Sequence, residues 1–243
     1  MNKKLRLILC VLFILFIGIV TVWRSLIISN GTEQQGDKEM VLGCQNMVIP
    51  ICCEGNEGNA TFLCEKEDGY ILCTAAHVVS KLQRGTEKQQ QIKIEDELVD
   101  VRSIWISETY DVAFLEIPKI KDSNNDAKED LWEGKLTTGL SQDGYLNLKE
   151  GDILWAWSYF DEEVLNLEIQ VKSPWIYIED FGYHMIWGTA EDSKGGMSGS
   201  GVFDREGRLA GILCGGNETE VVVLPMNIIL GELKNSSIDI FFE

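Results

Sequence analysis

The chain has 243 residues, 45% of them hydrophobic and 25% charged, a balance that excludes intrinsic disorder and supplies material for a sizeable core. Its formal charge is −18, and because Lys3, Lys4, Arg6 and Arg24 are the only charged side chains up to position 24, residues 25–243 carry −22. A surface this acidic repels nucleic acid backbones and anionic membrane faces, and it serves solubility. With only two His and no paired, short-spaced Cys motif, a zinc site is not expected, and neither is any other cofactor.

Residues 1–28 begin with a basic end and continue into a run without charge or strongly polar groups, Leu7 to Trp23. As a helix this run is about 26 Å long, near the lower limit for crossing a bilayer. Lys3, Lys4 and Arg6 precede it and Arg24 follows, so the positive-inside rule keeps the N-terminus cytoplasmic and places everything after the run outside. The alternative is a cleaved signal peptide and a secreted product. Ile27 and Ser29 offer only a poor cleavage site, which favours an uncleaved membrane anchor. Residues 29–39, SNGTEQQGDKE, read as a flexible tether.

Between residues 40 and 120 the runs MVIPICC, ATFLCEK, GYILCTA, QIKIED, LVDVRSIWIS and DVAFLEI predict short strands, with an Asp68-Gly69 turn joining the second and third. Residues 121–145 open with KDSNNDAKED, the most polar stretch after the tether, and are expected to connect two halves. From residue 146 to 243 the strand pattern returns in ILWAWSY, LNLEIQVKS, WIYIED, YHMIW, GVFD, RLAGILC and TEVVVL, with a turn at Arg205-Glu206-Gly207. Pro225 to Leu233 closes the set as a helix, with proline at its start and apolar residues on one face. A dozen or so short strands in two groups, with little helix, predict an all-β sandwich or barrel.

Outside the apolar N-terminal run lie Cys44, Cys52, Cys53, Cys64, Cys73 and Cys214. An exported domain permits disulfides among them, and the spacing does not choose the pairs. The adjacent Cys52 and Cys53 point to opposite faces of a strand. Asn30, Asn59, Asn217 and Asn235 each head an N-x-Ser/Thr triplet, which matters in a host that glycosylates its exports.

Three stretches carry chemistry. In ILCTAAHVV an apolar strand runs into His77, and the small residues before it let the chain turn beneath an imidazole placed to act as a general base. In YDVAFLEI, Asp111 opens an apolar run, where a partly buried carboxylate can accept the imidazole N–H and fix its tautomer. In GGMSGSGVF, Gly196 has backbone freedom closed to other residues, so its N–H and that of Ser198 can converge on an oxyanion, while Gly199 and Gly201 keep the serine uncrowded. Each residue also has a plain structural reading: a strand histidine, a turn aspartate, a serine in a flexible loop. It is the order that favours a functional one.

His, Asp and Ser in this order resemble the chymotrypsin superfamily, and most closely the bacterial trypsin-like peptidase domain of HtrA-type proteases. EDGYILCTAAHVV, DVAFLEI, GGMSGSGVFDREGRLAGIL and VVVLPMNIILGEL carry the resemblance, which covers about Met47 to Leu233. It implies two six-stranded antiparallel β-barrels with a short C-terminal helix, here preceded by one transmembrane helix. It implies a serine endopeptidase without cofactors that takes protein or peptide substrates, with His77 as base, Asp111 as its orienter, Ser198 as nucleophile, and Gly196 with Ser198 as oxyanion donors. Met197 stands where pancreatic-type enzymes carry the aspartate of their activation switch, so no such switch is expected. No PDZ-like domain is expected, and HtrA-type trimer assembly is not implied.

For specificity, the resemblance places Asp192 at the floor of the primary pocket, and Cys214, Gly215 and Gly216 along its wall. Asp192 would then select Lys or Arg, although it reads more readily as one acid of an exposed loop beside Glu191 and Lys194. His184 reads as an ordinary strand residue. The alternative to catalysis is an inactive trypsin-like domain that binds or senses peptides.

Overall fold

The computed structural model describes residues 43–82, 90–94, 97–119, 143–161, 163–236 and 238. All of them belong to one compact unit, Met40–Glu243. The expected anchor at residues 7–23, the tether at 29–39 and most of the 121–145 connection lie outside the described residues. Among the described residues no helix is long and apolar enough to cross a membrane.

A 3-10 turn at Cys44–Met47 leads into seven strands: β1 Val48–Cys53, β2 Asn56–Glu65, β3 Gly69–Thr74, β4 Gln90–Ile94, β5 Glu97–Val101, β6 Ser103–Ile106 and β7 Ala113–Pro118. They form one antiparallel sheet in the order β5-β4-β1-β2-β3-β7-β6. The count corrects the expected six. LVDVRSIWIS, anticipated as one strand, is broken at Arg102 into β5 and β6, which border opposite edges of the sheet. Because a single residue separates those two segments, the edges must meet, and the sheet curls into a barrel. Arg102 keeps its backbone tied to β7 through an N–H donated to the Glu116 carbonyl (2.8 Å), while its guanidinium pairs with Asp68.

A one-turn helix at Asp143–Leu146 precedes the second half, which comprises β8 Ile153–Phe160, β9 Glu163–Ile178, β10 Tyr183–Thr189, β11 Gly201–Phe203, β12 Leu209–Gly216 and β13 Glu220–Pro225. These six close into a barrel in the order β10-β13-β12-β11-β8-β9. LNLEIQVKS and WIYIED, anticipated as two strands, are one 16-residue strand, β9. The C-terminal helix, Met226–Asn235, begins directly after Pro225 and buries Met226, Ile229 and Leu233 along one face.

Three hydrophobic clusters explain why several strands are apolar on both faces. Tyr70 and Leu72 of β3 point into the first barrel with Phe62 and Leu115, whereas Ile71 and Cys73 join a second cluster with Phe114, Phe203, Ile212 and Leu224 that seals one barrel against the other. Leu154, Ile169, Ile186 and Val223 fill the second barrel. Each such side chain contributes roughly 1.5–3 kcal/mol by leaving water.

Gly69 is required for a reason the turn signal did not contain. Its φ is not positive, but a Cβ there would stand 2.2 Å from the Ile117 carbonyl of the neighbouring strand. Gly69→Ala is expected to force β3 away from β7 and cost on the order of 2–3 kcal/mol, lowering Tm by roughly 5–10 °C. A thermal melt followed by circular dichroism checks this.

Candidate active site

His77 and Asp111 come from loops that leave two paired strands of the first barrel. Thr74 of β3 sits opposite Ala113 of β7, so the segments beyond these positions emerge side by side. After β3 the chain coils through tight turns, with the Val78 and Val79 N–H groups donating to the Ala75 and Ala76 carbonyls. That turn lifts His77 to the surface, with about half of its side chain exposed, while Asp111 is only 14% exposed. The Asp111 carboxylate grips the histidine twice: Oδ1 accepts the His77 backbone N–H at 2.9 Å, and Oδ2 lies 2.7 Å from the ring Nδ1. This hydrogen bond, assisted by the carboxylate charge, raises the His77 pKa against the opposing effect of burial.

The second barrel holds this pair from behind. Tyr183 of β10 accepts the Asp111 backbone N–H on its phenolic oxygen at 2.8 Å and packs edge-on against Tyr110. Burial pushes the Tyr183 phenol well up, keeping it neutral. Cys214 donates its thiol to the Asp111 carbonyl at 3.5 Å, and its own carbonyl lies 3.5 Å from the Ser198 hydroxyl. One residue therefore touches both Asp111 and Ser198. It sits at a bulge in the β12–β13 pairing, between Leu213 and Gly215, which turns its backbone out of the ladder.

Ser198 lies on the turn that precedes β11. Gly196 and Gly199 flank it with φ of +94° and +88°. The Ser198 carbonyl accepts the backbone N–H of Asn59 across the barrel junction at 2.7 Å. Gly58 occupies the narrow space between Val78 and this carbonyl, where an added Cβ would stand 2.6 Å from the valine and 3.0 Å from the oxygen. The residue after His77 and the residue Ser198 thus face one another across a single glycine.

The family comparison decides what these residues belong to: the profile of the Trypsin-like peptidase domain matches residues 59–212. The chain belongs to the trypsin-like peptidase domain family. By family it is a serine endopeptidase. Solved structures with the same fold include the Rv3671c protease of M. tuberculosis in its inactive form, with 16% identity, a TM-score of 0.53, and coverage of 82% of this chain and 93% of that one. Its active form aligns with a TM-score of 0.54 at the same identity, over 83% and 85%. Deg5 aligns with a TM-score of 0.60 and 16% identity over 82% and 92%. No curated protein matches the chain.

Of the pocket residues anticipated from sequence, Cys214 lies beside Ser198 in this peptidase. Asp192 is exposed, with φ of +63°, on the loop before the serine. That exposure suits a loop acid better than the floor of a closed pocket. Gly215 faces the Phe181 ring, 3.2 Å from where a Cβ would be, and Gly216 is required because a Cβ would meet the Glu220 carbonyl at 2.3 Å. Cys214 is buried, and burial drives its thiol pKa far up, so the group packs and donates rather than reacts. All six cysteines of the described residues are free thiols; Cys53 is buried and Cys52 half-buried, as opposite strand faces require. His184 stacks on Trp175, with centroids 5.0 Å apart and planes 8° from parallel.

Two residues of the site carried no functional signal in the sequence. Tyr183 read as one aromatic in a strand. Asn59 read as the head of a glycosylation triplet, and this is corrected: the residue is fully buried in the folded peptidase.

Proposed function

We propose that the peptidase hydrolyses peptide bonds through an acyl-enzyme formed on Ser198, with His77 as general base and Asp111 as its orienter. The observation that carries the reading is the 2.7 Å bond between Asp111 Oδ2 and His77 Nδ1. With Nδ1 committed as a donor to a carboxylate, Nε2 carries the lone pair and is the nitrogen that removes the Ser198 proton. Ser198 Oγ then attacks the substrate carbonyl, and the Gly196 and Ser198 N–H groups take up the oxyanion. The imidazolium returns its proton to the leaving amine, and water repeats the sequence to release the acid. The cross-junction bonds from Asn59 to Ser198 and from Asp111 to Tyr183 support it by tying the serine and the aspartate to opposite barrels.

Placement belongs to the same proposal. Residues 1–28 anchor the chain in a membrane, 29–39 form a tether, and the barrels of 40–120 and 146–243, joined by 121–145, face the outside; the apolar run and its flanking charges support this. Removal of residues 1–28 is expected to shift the protein from the membrane to the soluble fraction.

Reaction of the full-length protein with a fluorophosphonate, followed by peptide mapping, tests the chemistry. A single adduct on Ser198 is expected. An unmodified Ser198 in folded protein overturns the reading and leaves a peptide-binding domain.

A further inference from the structure

We infer that Asn59 is the positioning residue of the oxyanion hole, holding the serine turn in its working shape from the opposite barrel. This rests on the reading of Gly196 and Ser198 as oxyanion donors. Asn59 lies on β2 and is completely buried. Its Nδ2 is 3.1 Å from the Gly196 carbonyl, 3.1 Å from Ser158 Oγ and 3.3 Å from the Tyr159 carbonyl, and its Oδ1 accepts the Tyr159 N–H at 2.8 Å. Its backbone N–H donates to the Ser198 carbonyl at 2.7 Å, and its backbone carbonyl accepts Thr74 Oγ1 at 2.6 Å. A single residue thereby grips the carbonyls of the two residues whose N–H groups face the oxyanion.

The physical consequence follows from the peptide geometry. A peptide group is rigid, so fixing a carbonyl fixes the plane that leaves its Cα, and the N–H on the other side of that Cα is then set by φ and ψ alone. At Gly196, with φ of +94° and no side chain, little local resists rotation. The restraint must come from outside, and the Asn59 amide supplies it in a buried setting where an unpaired carbonyl would be costly. Donors that need no reorganisation as charge develops are what an oxyanion site requires. The fit is also tight: a Cβ on Gly199 would stand 1.9 Å from the Asn59 carbonyl.

The test compares Asn59→Asp and Asn59→Ser with wild type in the full-length protein. Asn59→Asp keeps the shape and the Oδ1 acceptor but turns an oxygen toward the Gly196 carbonyl. Both variants are expected to lose roughly 10- to 100-fold in kcat, with KM within about twofold. Affinity for a peptide boronate, whose adduct places an oxygen in the hole, should fall by the same factor. The far-downfield proton resonance of the His77–Asp111 bond should persist, a signature that general loosening of the site would erase. Ser158→Ala, which removes a different Asn59 partner, is expected to lower Tm while keeping kcat within about threefold.

Retained kcat in the Asn59 variants, or a kcat loss accompanied by loss of the downfield proton, overturns the inference while the triad stands. Wild-type protein that neither cleaves peptides nor takes the fluorophosphonate overturns the triad reading and this inference with it. Should the Asn59 variants fail to fold, the wild type decides. On boronate binding the Asn59 side-chain amide resonances should shift while those of exposed Asn217 stay in place, and unmoved Asn59 resonances refute the role.

Discussion

Ser198→Ala is expected to lower kcat by about six orders of magnitude, the loss that follows removal of a nucleophile whose partners cannot act without it. The substitution deletes one oxygen and leaves the turn intact. The serine is held through its backbone, by its carbonyl to Asn59 and through Gly199, whose N–H donates to the Leu213 carbonyl at 2.7 Å. KM and Tm should therefore change little. A fluorogenic peptide assay on purified wild-type and mutant protein, with a thermal melt alongside, checks all three. Mutant activity within a hundredfold of wild type would mean that another group, or water activated elsewhere, performs the attack.

Asp111→Asn is the second large effect, with kcat falling by about four orders of magnitude while the fold survives. The asparagine oxygen can still accept the His77 backbone N–H, but the amide nitrogen then faces Nδ1 and donates to it. The imidazole is forced to carry its proton on Nε2, where it cannot accept one from Ser198. A pH shift comes with this change, and its sign is fixed. The hydrogen bond to Asp111 raises the His77 pKa in the folded protein, so the neutral, active base appears only as pH rises through that raised value. Removing the carboxylate moves the inflection of the residual kcat/KM profile to lower pH. Stability runs the other way: the Asp111–His77 contribution is fully present below the unfolded histidine pKa and is lost as pH rises through the folded one. A solvent-exposed imidazole keeps that contribution small. An unshifted inflection in the Asn variant would show that His77 is not the titrating base.

Much of the fold was legible because burial on one or both faces writes itself into strand sequences. MVIPICC, GYILCTA and DVAFLEI became β1, β3 and β7 because their apolar residues fill a barrel on one side and the inter-barrel seam on the other. The errors lie where backbone hydrogen bonding overrode the residue pattern. Pro174 read as an interruption, yet β9 passes straight through it. The shift in its pairing with β10 between Met185 and Trp187 accommodates a residue that lacks an N–H. At Arg102 the opposite occurred: a pattern that reads as one strand is divided between two sheet edges by a change of partner.

The site divides in the same way. His77, Asp111 and Ser198 stood out in the sequence because each sits in a local context that suits the chemistry proposed for it. Asn59 and Tyr183 did not, since their significance lies in carbonyl and N–H groups contributed by segments about 70 to 140 residues away. Asp192 was open to two readings, a pocket acid by the resemblance and a loop acid by its neighbours Glu191 and Lys194, and the residue is exposed.

The burial of Asn59 bears on how this enzyme can be produced. An oligosaccharide transferred to that side-chain nitrogen as the chain emerged into a eukaryotic secretory pathway would occupy volume filled in the native protein by Ser158, Tyr159 and Gly196. Such a chain could not close its barrels, whereas sugars at exposed Asn217 or Asn235 would be carried harmlessly on the surface. Expression without N-glycosylation avoids the trap.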